Sequence, residues 1–329
     1  MSGRATIAGC GVALPDTRLT NADIGARVDT SDEWIIERTG IRERRVANAD
    51  ETTASLAIDA GIEALKDAQL APDDIDLLIV ATATPEQPIP HTGAFVADGI
   101  GMRCGSFDLA AGCSGFLYSL IVGTSMLANP QVERVLVIGA ETLSRLIDPD
   151  DRTTCILFGD GAGAAVLEPC AGNAGLLAWD TGTDGTAAEI LGITAGGSRR
   201  PASAETVAAG EHYLHMSGQE VFRRAVRAVV ASIGVTLDRA GLAASNVDWF
   251  VPHQANARII DAAAQRIGIP PERCVQNLER YGNTSAASIP IALREAIDDG
   301  RLRRGDLVLL AGFGAGMTWG SALVRWGRT

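Results

Sequence analysis

A chain of 329 residues, 47% hydrophobic and 21% charged, has enough apolar material for one large core or two fused ones and is too apolar for a disordered chain. The formal net charge of −12 and pI near 4.8 argue against nucleic acid as the main partner, because phosphate binding needs a basic face. Six cysteines (Cys10, Cys104, Cys113, Cys155, Cys170 and Cys274) stand far apart without a CxxC pair, which points to reduced intracellular thiols rather than a disulfide framework or a zinc site.

The opening Met1–Arg4 and the residues after it lack the apolar core of a signal peptide, and the longest apolar run, Phe116 to Ala128, is too short to span a bilayer. A cytoplasmic protein with no membrane association is expected. Ala5 to Leu14 reads as a strand. Thr30 to Arg38 has a helix-start signature, with Thr30 or Ser31 as cap and acidic residues in the first turn. Asp50 to Asp67 carries Leu56, Ile58, Ile62 and Leu65 at helical spacing, and Ile75 to Thr82 reads as a buried strand.

Ser106 to Ile121 then combines a short strand, a small-residue turn and an apolar helix that opens at Cys113. A helix start offers unpaired N–H groups and a positive dipole end, which favour a thiolate and bind a developing oxyanion. Cys113 is therefore the candidate nucleophile, although a cysteine in an apolar run is commonly simple packing. Arg134 to Gly139 reads as a second buried strand, and Cys155 to Phe158 and Gly163 to Leu167 as strand-like runs around a glycine turn.

The second half repeats this order. Leu65 and Leu70 precede Asp76 by 11 and 6 residues, and Leu237 and Leu242 precede Asp248 by the same intervals. A polar helix start follows each aspartate, at Cys113 after 37 residues and at Asn283 after 35. The spacing predicts two duplicated halves, 1–172 and 173–329, packed so that Cys113 and Asn283 meet at the centre. His253 follows the strand that begins at Asp248 and should face the same centre.

Ala111-Gly-Cys113-Ser-Gly-Phe, Pro252-His253-Gln-Ala-Asn256 and Tyr281-Gly-Asn283-Thr-Ser-Ala-Ala-Ser288 closely resemble the catalytic motifs of β-ketoacyl-acyl carrier protein synthase III. Asp32 to Arg42, Phe158 to Val166 and Phe313 to Gly320 extend the resemblance nearly end to end. It implies a thiolase-like α/β fold of five layers, αβαβα, with two mixed sheets, usually in a homodimer. It also implies that an acyl-CoA primer acylates Cys113. Malonyl-acyl carrier protein would then lose carbon dioxide and attack the acyl-cysteine, with His253 and Asn283 stabilising the enolate.

By the same resemblance the N–H groups of Cys113 and Ala315 would form an oxyanion hole, alanine replacing a glycine common in the family. Trp34, Arg38 and Arg152 match positions that hold the nucleotide end of CoA, with surface packing as the alternative. Arg223, Arg258 and Arg266 match positions that dock an acidic carrier protein. Phe313 and Ile89 would line the acyl tunnel, Ile89 from across the dimer and in place of a common aromatic. CoA thioester enters as substrate, with no resident cofactor and no metal; His212 and His215 lack a third ligand nearby. Two rivals remain: an acyltransferase of the same fold that acts on a hydroxyl or amine or condenses another precursor, and a non-catalytic acyl-binding or scaffold protein.

Overall fold

Runs of Val, Ile, Leu and Ala without alternation are the signature of strands covered on both faces. In a computed structural model, which describes residues 5–170 and 172–328, such runs form the middles of two sheets. The elements used below are β1 (Ala5–Ala13), α1 (Asp32–Thr39), α2 (Thr53–Ala68), β2 (Leu77–Ala81), α3 (Thr92–Ile100), β3 (Gly105–Leu109), α4 (Gly115–Met126), β4 (Val135–Glu141), β5 (Gly161–Pro169), β6 (Gly175–Thr183), α5 (Gly218–Ala240), β7 (Trp249–Pro252), α6 (Ala257–Ile267), α7 (Ser288–Asp298), β8 (Leu307–Gly314) and β9 (Thr318–Arg325).

The first sheet has the order β1-β5-β4-β2-β3, antiparallel at its first two pairings and parallel at the last two. The second runs β6-β9-β8-β7 with the matching directions. A parallel bridge from Phe250 to Cys274 stands where a fifth strand would lie. The two aspartates that mark the repeat do the same work. Asp76 N–H donates to Arg134 O and its carboxylate accepts from Glu133 and Arg134 N–H, so the start of β2 is tied to that of β4. Asp248 N–H donates to Leu307 O and its carboxylate accepts from Leu307 N–H, tying β7 to β8.

Helices α2 and α3 cover the outside of the first sheet, and α5 covers the outside of the second, packed against α6. The central layer is α4 and α7, each in contact with strands of both sheets. That position explains why α4 is apolar around its circumference: Phe116, Leu117, Leu120 and Ile121 meet strand residues from both sides. Close approach requires small residues. At Gly139 of β4 a methyl group would stand 2.2 Å from Ala286 O, so only glycine lets the turn before α7 lie on the sheet.

Ser31 caps α1 by accepting from Trp34 N–H, and Thr52 caps α2. The run Cys155 to Phe158, expected as a strand, is a series of turns instead. Cys155 N–H donates to Asp151 O and Leu157 N–H to Thr154 O, and Phe158 forms an isolated bridge with Asn283. Burial there comes from packing beneath α1 rather than from a sheet. No helix among the described residues is long and apolar enough to cross a membrane. Met1–Arg4, read above for a signal peptide, lie outside the described residues.

Candidate active site

The chain leaves β3 at the sheet edge, makes a tight turn at Gly112–Ser114 and enters α4. Gly112 has φ +52°, and a methyl group on it would lie 2.8 Å from Ala315 N. Reciprocally, a methyl on Gly314 would lie 2.5 Å from Cys113 N. The two small-residue loops therefore touch backbone to backbone, which puts the N–H groups of Cys113 and Ala315 close together. Thr318 Oγ1 donates to Ala111 O and closes this junction.

The turn before α7 meets the same place from the other half, packed against Gly112–Ser114. Asn283 is held by its backbone on both sides: N–H to Leu157 O, and C=O accepting from Gly159 N–H. Its Oδ1 accepts from Ser285 N–H at 2.9 Å, so the amide end left for the cavity is the Nδ2 donor. Asn283 is thus the N-cap residue neither of α7, a place taken by Ala287, nor of the short turn ahead of it, where Thr284 stands; its Oδ1 closes a local turn onto Ser285 N–H.

His253 comes from the end of β7, where its N–H donates to Ala311 O. Its ring lies edge-on to Phe313, centroids 5.7 Å apart at 71°. Nδ1 is 2.6 Å from Ser288 Oγ, and Nε2 is buried without a protein partner. Burial lowers the imidazole to about 3, so the ring is neutral at physiological pH.

A cavity of about 720 Å³ is lined by Cys113, His253, Asn283, Phe313 and Ala315 at its inner end. Trp34, Arg38, Arg152 and Arg258 line it as well. Arg38 and Arg152 place their guanidinium carbons 4.6 Å and 5.1 Å from the centre of the Trp34 ring. Arg152 donates to Asp29 O rather than pairing with its acidic neighbours. These contacts make a cationic, aromatic surface suited to a nucleotide with phosphates.

Other expected residues fall elsewhere. Ile89 is 85% exposed and outside the cavity of its own chain. Arg223 is ion-paired with Glu220 on the exposed side of α5, and Arg266 is exposed on the last turn of α6. His212 and His215 are occupied by Thr206 and by Glu189 O.

The thiolate expectation requires correction. Cys113 is only half-buried by surface, because it opens to the cavity, yet the protein packed around it pushes the thiol up to about 12. A lowering hydrogen bond from Ser285 does not offset this desolvation, and the Glu141 charge adds to it. At rest the sulfur is a thiol whose reaction requires a proton acceptor. Glu141, Gln254, Ser285 and Ser288 were not singled out from sequence. Gln254 locks the strand end by donating to Pro252 O and Val275 O and accepting from Asn277 N–H. The one sequence signal for Glu141 was an acidic residue at the end of an otherwise apolar strand.

Two mixed sheets around paired central helices, with a cysteine, a neutral histidine and an amide donor at one cavity, define a thiolase-like condensing acyltransferase. Residues 107–185 match the model of 3-oxoacyl-[acyl-carrier-protein] synthase III, and residues 237–326 match the model of its C-terminal part. A curated β-ketoacyl-[acyl-carrier-protein] synthase III of Symbiobacterium thermophilum is 50% identical over 323 residues, 98% of each chain. The crystal structure of 3-oxoacyl-[acyl-carrier-protein] synthase III from Aquifex aeolicus superimposes with a TM-score of 0.91 at 43% identity, covering 98% of this chain and 100% of that one. The priming β-ketosynthase of the R1128 polyketide pathway gives 0.91 at 34% identity, covering 98% and 96%. The chain belongs to the β-ketoacyl-[acyl-carrier-protein] synthase III family.

Proposed function

We propose that this protein condenses an acyl-CoA primer with malonyl-acyl carrier protein to start fatty-acid synthesis, passing through an acyl-cysteine at Cys113. The observation that carries this reading is the pair of unpaid polar ends facing one cysteine: Asn283 Nδ2, left over when Oδ1 accepts from Ser285, and the unpartnered Nε2 of neutral His253. A single acyl transfer needs one oxyanion site. Two further neutral donors suit the enolate oxygen that decarboxylation creates.

In this reading the primer enters past Trp34, Arg38 and Arg152, and its carbonyl oxygen takes the N–H groups of Cys113 and Ala315. After CoA leaves, the malonyl thioester oxygen binds Nδ2 of Asn283 and Nε2 of His253. In the tautomer whose Nε2 donates, Nδ1 accepts the single hydroxyl proton of Ser288, which is then turned away from the Ser285 carbonyl 2.9 Å from the same oxygen. Carbon dioxide departs, and the carbanion carbon attacks the acyl carbon and releases Cys113. No resident cofactor enters these steps.

Arg258 at the cavity, with Arg223 and Arg266 outside it, receives the acidic carrier protein. Ile89, with Phe95 and Phe107 exposed on α3 and edge strand β3, supports a homodimer in which Ile89 completes the partner's acyl tunnel. The halves 1–172 and 173–329 are the duplicated units, each supplying one central helix. Intact mass after incubation with acyl-CoA tests the core of the reading. An acyl adduct on wild type that is missing from Cys113→Ala is the expected result, and an unmodified wild-type chain would overturn it.

A further inference from the structure

Acylation must remove the proton of a thiol held far from its ionised form, and His253 is a weak acceptor in its buried, neutral setting. A carboxylate lies behind the cysteine instead. Glu141, the last residue of β4, is fully buried and accepts from Thr82 Oγ1, Thr84 Oγ1 and Ala83 N–H. Its Oε1 is also 2.9 Å from Ser285 Oγ. All these partners are hydroxyls or backbone groups; none is a cation to hold the carboxylate charged.

Ser285 is the joint of the whole site. It is a non-glycine residue at φ +48°, a left-handed conformation that persists only where its surroundings enforce it. Its N–H orients Asn283, its C=O lies 2.9 Å from the Ser288 oxygen that holds His253, and its hydroxyl donates to Glu141. With its proton on Glu141, the same oxygen is left as an acceptor beside Cys113, in the turn packed against Gly112–Ser114.

We infer that Glu141 accepts the Cys113 proton through Ser285 during acylation. The sulfur lone pair attacks the acyl carbon as the S–H bond breaks. The Cys113 proton moves to Ser285 Oγ while the serine proton moves to Glu141 Oε1. When the tetrahedral intermediate collapses, the carbon–sulfur bond to CoA breaks and the proton returns along the same path to the CoA thiolate, so no outside acid or base is consumed. Burial raises the Glu141 carboxyl to about 7, in the range where it can both take and give a proton. The titratable groups around it are Cys113, which faces it, and His253, which stays neutral across the cavity.

This inference rests on the acyl-cysteine reading above. Its test is the single-turnover acylation rate of wild type, Glu141→Gln and Ser285→Gly as a function of pH. Glycine accepts the left-handed backbone and removes the hydroxyl together with its methylene. CoA binding, followed by isothermal titration calorimetry, confirms that each variant has a folded site. Wild type should show a rise in rate centred near pH 7, and both variants should lose that inflection and about 10²-fold in rate. Alkylation of Cys113 by iodoacetamide at neutral pH separates relay from simple charge. Removing a nearby negative charge alone would speed alkylation, whereas loss of the relay slows it. Wild-type rates and inflection in either variant, or faster alkylation of Glu141→Gln, would overturn the relay. A wild-type chain that takes no acyl group would instead refute the function on which it rests.

Discussion

Alanine at Gly112 or Gly314 would push apart the two backbones that meet at the inner end of the cavity. At Gly112 the new methyl group lies 2.8 Å from Ala315 N, and the residue must also hold φ +52°. The left-handed conformation costs alanine about 1–2 kcal/mol, and overpacking adds about 1–3 kcal/mol. At Gly314 the methyl lies 2.5 Å from Cys113 N, but φ is −153°, so the conformational penalty is absent and only the close contact remains. Both substitutions move one of the two N–H groups away from the acyl oxygen. Losing a backbone-type oxyanion donor costs about 10²–10³ in rate, so each variant should acylate Cys113 about 10²-fold more slowly. Rapid-quench intact mass reads the acylation step, and thermal melting reads stability separately. Gly314→Ala is the cleaner arm, since its rate should fall without the left-handed strain. A folded Gly314→Ala protein that acylates within about threefold of wild type would refute the claim that these N–H groups bind the oxyanion.

Asn283→Ala should keep acylation and lose condensation by about 10²-fold or more, read as carbon dioxide release from malonyl-acyl carrier protein; equal loss of both half-reactions would contradict its role as an enolate donor. Trp34→Ala removes the ring under Arg38 and Arg152 and should raise KM for acyl-CoA about tenfold with little change in kcat, measured by steady-state kinetics. Arg258→Glu should raise KM for the malonyl carrier protein and weaken its dependence on ionic strength, while acylation by acyl-CoA is maintained. His253 and Glu141 should also act oppositely on stability. The folded state refuses the proton that unfolded His253 takes between about pH 3 and 6.5, so this contribution rises with pH across that window. Folded Glu141 keeps a proton that the unfolded chain releases between pH 4.5 and about 7, so its contribution falls with rising pH. Glu141→Gln should therefore gain stability relative to wild type from pH 4.5 to 7 and hold that gain above it, as measured by urea unfolding at each pH.

That Cys113, His253 and Asn283 meet at one cavity was legible because each lies in a long motif and because the Asp76 and Asp248 spacing predicted where the two halves meet. The fold was legible for the related reason that strands buried on both faces read as unbroken apolar runs. The Cys155 to Phe158 stretch misled by the same criterion: it is apolar because it packs beneath α1, and periodicity does not distinguish that from a strand. The state of the Cys113 sulfur was not legible at all. A helix start is visible in a local window, but the desolvation that outweighs it is assembled from the 285–287 turn, the end of β4 and the loop at Ala315. Glu141 was missed because its significance comes from Ser285, 144 residues away, and from threonine hydroxyls that resemble ordinary strand-end residues in sequence. Ile89 is exposed and outside the cavity of its own chain, so the tunnel role implied by the resemblance has no counterpart within one chain.

The bond from Thr318 to Ala111 joins residues 207 positions apart, and the loop it secures carries the Ala315 N–H that sits beside Cys113. During synthesis the ribosome therefore makes the nucleophile long before it makes the floor on which that nucleophile works. The growing polypeptide holds Cys113 as an ordinary, unassisted thiol until the hairpin of β8 and β9 has emerged and closed. Chemical competence waits on that hairpin, and a product truncated before it carries the reactive residue without the means to use it.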